Sequence, residues 1–338
     1  MTSWWKKVLT SFLSAAVLFF LLGTLFVLQY IHLPVHTPGR NIHIHISPGQ
    51  SLSQITASLK QKEVISRPRL FALLAQFLSV STNIQAGEFE LDTGWSRLEI
   101  LHALANGQQI LHSISVPEGL SWWQTARRLD QTALTTFDKV QAAVHDKKLL
   151  AVFNIPADTA EGYLFPETYH LPRPVDQQAE PIIRFMLHEF YTKAEKILWP
   201  QGLPAPEEIH DLVILASLVE KETGEADERR TVAGVFANRL QRGMRLQCDP
   251  TVIYGLGPDF DGNLTKAHLR DVDNPYNTYI HPGLPPGPIC SPGLASLLAA
   301  LNPEKHNFLY FVSKGDGSHH FSRTLSEHNR AVRRYQLR

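Results

Sequence analysis

The stretch 206-PEEIHDLVILASLVEKET-223 decides how the larger part of this chain is read. Pro206 suits a first helical turn, where a missing N–H costs nothing, and Glu207 and Glu208 suit the positive end of a helix. Gly224 follows as a stop signal. Between them Leu212–Val219 is almost wholly apolar, so the pattern predicts a helix over Pro206–Thr223 buried on most sides. Glu220 comes four residues after Ala216 and seven after Val213, which puts all three on one face. A carboxyl that continues an apolar face into a site loses hydration, the usual way to keep a general acid protonated near neutral pH. Glu222 lies about 200° further around, so the two carboxylates do not easily serve one substrate. On the helix alone, a catalytic carboxyl and a solvated helix end both remain open readings.

Around this helix the chain has 338 residues, with 32 Lys+Arg against 32 Asp+Glu, 43 % hydrophobic residues and 2 cysteines. That length predicts roughly two domains. Zero formal charge excludes a protein that tracks nucleic-acid phosphates along a basic face. Two cysteines exclude a disulfide framework and a Cys-rich zinc module. The zero is an average, however. Residues 1–40 hold Lys6, Lys7 and Arg40 and no acid, leaving the remainder mildly acidic.

Val8–Leu28 has no charged residue. As a helix it would be about 31 Å long, close to the hydrocarbon thickness of a bilayer. Trp4 and Trp5 at one end and Tyr30 at the other sit where amphipathic rings prefer the headgroup level. Lys6 and Lys7 predict a cytoplasmic tail over 1–7, a transmembrane helix over 8–30 and export of the rest. A cleavable signal peptide is the competing reading, but bulky Leu25–His32 offers no small-x-small site.

Beyond the anchor, Asn41–Ile46 alternates as a strand, with His43 and His45 on one face, read as solvated rather than metal-binding. Helices are predicted over Ser51–Lys60 and Leu70–Val80, a strand at Phe89–Leu91, a helix over Ser96–Ala105 and a strand over Ile110–Val116. This order resembles a LysM-like βααβ subdomain, a small fold used to hold glycan strands, and we place it at 41–117. Gly49, Ser51, Gln54 and Leu59 recur 70 positions later as Gly119, Ser121, Gln124 and Leu129, suggesting two similar strand-to-helix entries. Residues 118–159 read as a helical bridge and 160–338 as a catalytic domain. The fold class is α+β: one transmembrane helix, the small subdomain and a larger mixed α/β domain.

From Ala160 on, several long segments occur in order: AEGYLFPETYHL (160–171), EKET (220–223), MRLQCDPTVIYG (244–255), NPYNTYIHPGLPPGPI (274–289) and FVSKGDGSHHFSRTLSEHN (311–329). Together they resemble the endolytic murein transglycosylases, the YceG-like family, over nearly the whole chain. The resemblance implies that Glu220 is the single catalytic acid/base. It implies a membrane-anchored lyase of the inner membrane, with its N-terminus cytoplasmic and its catalytic domain outside the cytoplasm. Such an enzyme cleaves the β-1,4 bond between N-acetylmuramic acid and N-acetylglucosamine within peptidoglycan glycan strands and leaves 1,6-anhydro ends, terminating or trimming nascent strands. No metal and no cofactor are implied, and neither HExxH nor Cys/His spacing is present for His319, His320 and His328. Partners would be glycan strands, the lipid bilayer through 8–30, and proteins of cell-wall synthesis that no residue here identifies. A hydrolysing muramidase and a non-catalytic peptidoglycan tether are the alternatives.

With the resemblance in view, Gln247, Asp249, Thr251, Tyr276, Asn277, Thr278, Tyr279, Gly283, Pro286 and His320 are expected to line the substrate cleft. Glu167 and Asp249 are candidates for a second stabilising carboxylate. Cys248 and Cys290 fall in segments expected to meet at the site, and a disulfide and two inert buried thiols are both open.

Overall fold

The structure, a computed structural model, describes residues 2–107 and 109–336. Met1 and the Lys6 and Lys7 side chains of the expected cytoplasmic tail lie outside what is described. The chain separates into two compact units, Met1–His112 and Ser113–Arg338.

The first unit begins with helix α1 (Thr2–His32), which contains the one stretch among the described residues, Val8–His32, long and apolar enough to cross a membrane. Length and composition fit an anchor and a signal sequence alike. Then come β1 (Asn41–Ile46), α2 (Leu52–Gln61), α3 (Pro68–Phe77), β2 (Gly87–Asp92) and α4 (Arg97–Ala105). Strands β1 and β2 pair antiparallel, Ile44 opposite Phe89 and His45 opposite Glu88. Alternation sends Ile44 and Ile46 into a core with Leu59, Phe71, Phe89 and Leu101. It leaves His43 and His45 exposed, opposite the carboxylates of the partner strand, as a solvated face requires.

The boundary between the units falls within β3 (Leu111–Val116). The second unit continues through α5 (Trp122–Gln131), α6 (Phe137–Val144), α7 (Lys147–Val152) and β4 (Glu167–Pro172), and β4 pairs with β3. The 70-residue echo has a structural counterpart. Strands β1 and β3 share one burial pattern. Gly49 and Gly119 each turn the chain at positive φ (72° and 77°), which suits a residue without Cβ. Ser51 and Ser121 then close capping boxes with Gln54 and Gln124. Both copies are therefore strand, glycine turn and capped helix, with a two-stranded sheet closing each.

Next come α8 (Glu180–Leu198), α9 (Pro206–Glu222), α10 (Arg229–Gln241), α11 (Asp249–Leu256), α12 (Leu294–Leu301), the hairpin β5 (Tyr310–Ser313) and β6 (His319–Ser322), and α13 (Leu325–Tyr335). The near-continuous apolar run of α9 has a direct cause: the helix serves two cores. Ile209, Val213 and Ala216 join Tyr163, Phe190, Leu129 and Leu297 on one side. Ile214, Leu218 and Val219 join Val232, Phe236, Leu246 and Ile289 on the other. Helices α5 to α7 pack into the first of these cores through Trp122, Val140 and Leu150. Gly162 of the 160–171 segment has φ +85°, and a Cβ there would come within 2.7 Å of Val213 and 2.6 Å of Pro288. That glycine lets the segment lie directly on α9.

Candidate active site

The last turns of α9 are where the distant segments meet. Ser217 Oγ accepts the Ile289 N–H at 3.1 Å while donating to the Ile214 carbonyl at 2.7 Å. Its own carbonyl receives the Cys290 thiol at 3.4 Å. This seats Ile289–Cys290 against the helix one turn before Glu220, and the chain then runs through Ser291 and Pro292 to Gly293, the N-cap of α12. The glycine turn after β3 is tied to the same place. Gly119 N–H donates to the Ser291 carbonyl at 2.9 Å, and Ser291 N–H donates to the Leu120 carbonyl at 2.8 Å.

Glu220 emerges into this junction half-buried. Its Oε2 accepts the Gly293 N–H at 3.0 Å, and its Cγ lies 3.7 Å from where a Cβ on Gly119 would stand. Placed at the start of a helix, the carboxylate meets an unsatisfied N–H and the positive end of the α12 dipole. Lys221 Nζ donates to the Gly119 carbonyl at 3.3 Å. Glu220 thus sits beside a backbone N–H and charged side chains, and the apolar face ends one turn before it. A second carboxylate, Glu118 of the 118-EGL-120 turn, lies over Gly293: a Cβ on that glycine would stand 1.9 Å from Glu118 Oε1. Burial, and next the Glu220 carboxylate, push the Glu118 carboxyl above its ordinary range, while Arg229 pulls the other way.

Glu222 faces elsewhere, as the helical offset requires. Its carboxyl is enclosed and accepts the Cys248 thiol at 2.9 Å. Burial raises the Glu222 carboxyl and also the Cys248 thiol. Glu222 lines a cavity of about 500 Å³ together with Gln247, Asp249, Tyr279, Tyr310 and His319. There Tyr279 donates its hydroxyl to Asp249 Oδ1 at 2.6 Å, and His319 Nδ1 pairs with Glu228 at 2.7 Å.

The expected cleft residues therefore divide. Gln247, at φ 50°, and Asp249 and Tyr279 line the cavity beside Glu222. Thr251, Thr278 and Asn277 are buried and hold the loop together: Thr251 and Thr278 share a hydroxyl contact at 2.9 Å, Thr278 Oγ1 accepts the Cys248 N–H, and Asn277 donates to the Asp271 carbonyl. Tyr276 packs on Tyr254, with ring centroids 4.8 Å apart. Gly283 turns at φ +85°, and Pro286 is exposed. His320 is exposed beside Tyr335, and it is the neighbouring His319 that lines the cavity. Glu167 is ion-paired to Lys193 of α8. Cys248 and Cys290 are free and buried, one bonded at Glu222 and the other at Ser217. Of the two readings open in the sequence, separate thiols is the observed one.

Sequence reasoning missed Glu118, Gly293 and Glu161. Glu161 is fully enclosed, accepting N–H groups from Trp122 at 2.9 Å and Gly162 at 3.2 Å. Burial outweighs these bonds and pushes its carboxyl up to about 7. A carboxylate beside a glycine turn in one copy of the echo, and Pro48 at the matching place in the other, was the available signal for Glu118.

Enzymes that cleave glycosidic bonds place a carboxyl acid beside the scissile oxygen, and Glu220 presents a half-buried carboxyl at the N-cap of α12. The model of the YceG-like family matches residues 44–334, and the chain belongs to that family. It is 34 % identical over 311 residues to the endolytic murein transglycosylase of Bacillus subtilis (strain 168), covering 87 % of this chain and 84 % of the relative. It is 27 % identical over 347 residues to the endolytic murein transglycosylase of Streptococcus pneumoniae serotype 2, covering 92 % of this chain and 62 % of that longer protein. The crystal structure of a yceG-like protein from Listeria monocytogenes superposes with a TM-score of 0.57 at 33 % identity, over 86 % of this chain and 98 % of that one.

Proposed function

We propose that this chain is an endolytic peptidoglycan transglycosylase that uses Glu220 as its acid and base. The observation that carries the reading is the Glu220 carboxyl itself, anchored through Oε2 to the Gly293 N–H. Oε1 has no hydrogen bond among the described residues and is the oxygen to carry the proton. Glu220 donates that proton to the bridging oxygen as the C1–O bond of N-acetylmuramic acid breaks. The C6 hydroxyl oxygen of the same sugar then bonds to C1, and its proton returns to Glu220. An intramolecular hydroxyl is already positioned, which replaces much of the entropic cost of recruiting water. The products are a free GlcNAc hydroxyl and a 1,6-anhydro end.

In this reading residues 8–30 anchor the enzyme in the inner membrane with the tail inside, and the LysM-like βααβ subdomain of 41–117 holds glycan. Residues 160–338 supply the chemistry and 118–159 bring the second glycine turn to it. The cavity beside Glu222, with Gln247, Asp249 and Tyr279, grips the strand next to the reacting bond. Support for the substrate class comes from the murein transglycosylases that the chain resembles, and support for the acid from the placement of Glu220.

The test is digestion of purified sacculi by the full chain and by Glu220→Gln, with products weighed by mass spectrometry. Wild type releases anhydro-ended fragments. The variant stays folded and loses at least about a hundredfold in rate, the usual contribution of a general acid. Lytic activity retained in Glu220→Gln removes the assignment, and ends heavier by one water make the enzyme a muramidase.

A further inference from the structure

We infer that Glu118 is a second carboxyl of the catalytic site, placed so that it and Glu220 hold one proton between them. The inference rests on the transglycosylase reading and deepens it. Two carboxyls from segments a hundred residues apart meet at one glycine. Glu220 takes the Gly293 N–H, and Glu118 occupies the volume that any side chain at 293 would need. The approach is built in from both ends. The turn that carries Glu118 is strapped to Ser291 by two backbone hydrogen bonds and to α9 by Lys221. Gly119, next to Glu118, turns the chain at φ +77°, and a Cβ there would stand in ordinary contact with the Glu220 stem, 3.7 Å from Cγ. The first copy of the same strand–turn–helix unit has Pro48 at this place, so the repeat itself does not require a carboxylate.

The pairing meets a requirement of the site. Glu220 accepts the Gly293 N–H through Oε2, and the buried apolar residues of α9 stop at Val219. Two carboxyls at close quarters cannot both ionise as freely as one, so the pair retains a proton to higher pH than separate groups would. The charged groups facing the pair are Lys221 on α9 and Arg229 on α10. Both favour ionisation, so the pair carries one negative charge rather than none, while mutual repulsion opposes a second. In the resting site the pair carries one proton and one negative charge. During cleavage the Glu220 proton goes to the leaving oxygen and is replaced from the C6 hydroxyl, so Glu118 ends each turnover as it began. It is a positioning residue that acts on the proton of Glu220.

The test is the pH dependence of anhydro-muropeptide release from sacculi by the full chain in detergent, scanned from about pH 4 to pH 9. Glu118→Gln keeps the shape and removes the charge. Its alkaline limb is expected to fall about one pH unit below that of wild type, with fold confirmed by circular dichroism. Glu118→Asp keeps the charge on a shorter stem and is expected to return the limb towards wild type at a reduced rate. Should Glu118→Gln not fold, Gly293→Ala displaces the same carboxylate without altering its chemistry and is expected to move the limb the same way. A limb that coincides with wild type in a folded Glu118→Gln, whatever happens to the rate, overturns the inference and leaves Glu118 a structural contact. Lytic activity in Glu220→Gln overturns the underlying reading instead, so the two failures are distinguishable.

Discussion

Helix α9 ends in two glutamates two residues apart, and they occupy opposite kinds of environment. Glu220 opens onto the N-cap of α12 with a backbone N–H, a second carboxylate and two cations around it. Glu222 is enclosed against a buried thiol, and the charges that favour its anion come from His319 and from Arg239, a guanidinium buried on α10. Residue type and helix are the same. What differs is which segments return to each side, so a carboxylate's surroundings are set by those segments rather than by the helix that carries it.

The strongest way to break the comparison is to remove each carboxyl in turn. Glu220→Gln is expected to cost activity and almost no stability, and Glu222→Ala the reverse. Without Glu222 the Cys248 thiol loses its acceptor, a cavity opens, and Arg239 loses one nearby negative charge while keeping the Leu309, Leu246 and Arg245 carbonyls and the Tyr310 ring. The lost hydrogen bond and the cavity together cost on the order of 2 kcal/mol. Chemical denaturation measures the loss. A Glu222→Ala protein as stable as wild type but catalytically dead would mean the two roles have been assigned the wrong way round.

Much of this arrangement is legible in the sequence, for reasons that are local. The α9 boundaries follow from Pro206, the acidic first turn and the apolar run, and the observed helix stops at Glu222, one residue short of expectation. The opposite facing of Glu220 and Glu222 follows from 3.6 residues per turn. The echo 70 residues apart predicts two similar entries, and the capping serines and glycine turns recur at the matched positions. What is not legible depends on long-range packing. Glu118 reaches the site only because Gly119 and Leu120 bond to Ser291, a contact that no period or propensity encodes. The cysteines show the same limit. Their segments do converge on α9, but at Ser217 and Glu222, and five residues of helix advance about 7.5 Å between those points.

A third carboxyl sharpens the contrast through pH. Glu161 is more deeply enclosed than either glutamate of α9, and burial raises it to about 7. An acid whose folded value lies above its unfolded one binds more protons in the native state. Stability is therefore greatest below the unfolded value, near 4.5, and falls as pH rises towards 7. Across that range the loss is worth on the order of 3 kcal/mol. Glu161→Gln should flatten this part of the pH–stability curve while lowering it at acid pH, because the amide cannot accept all the bonds from Trp122, Gly162 and Tyr254. Urea midpoints of both proteins at several pH values check it, and parallel slopes would place the titration on another group.

The smallest expected effect tests whether the Glu222 side does anything beyond supporting the fold. Tyr279 lines the cavity with Glu222 and donates to Asp249 at 2.6 Å. Tyr279→Phe removes one partly exposed hydrogen bond, worth about 1 kcal/mol or less in stability, and keeps the ring. If the cavity grips a glycan next to the bond that Glu220 cleaves, the freed Asp249 and the lost hydroxyl weaken that grip without touching the proton transfer. The expected outcome is a few-fold rise in KM for solubilised glycan strands with kcat nearly unchanged, the pattern of lost uniform binding. A fall in kcat with KM unchanged would bring the two faces of α9 into one chemical step, and the division drawn between Glu220 and Glu222 would have to be given up.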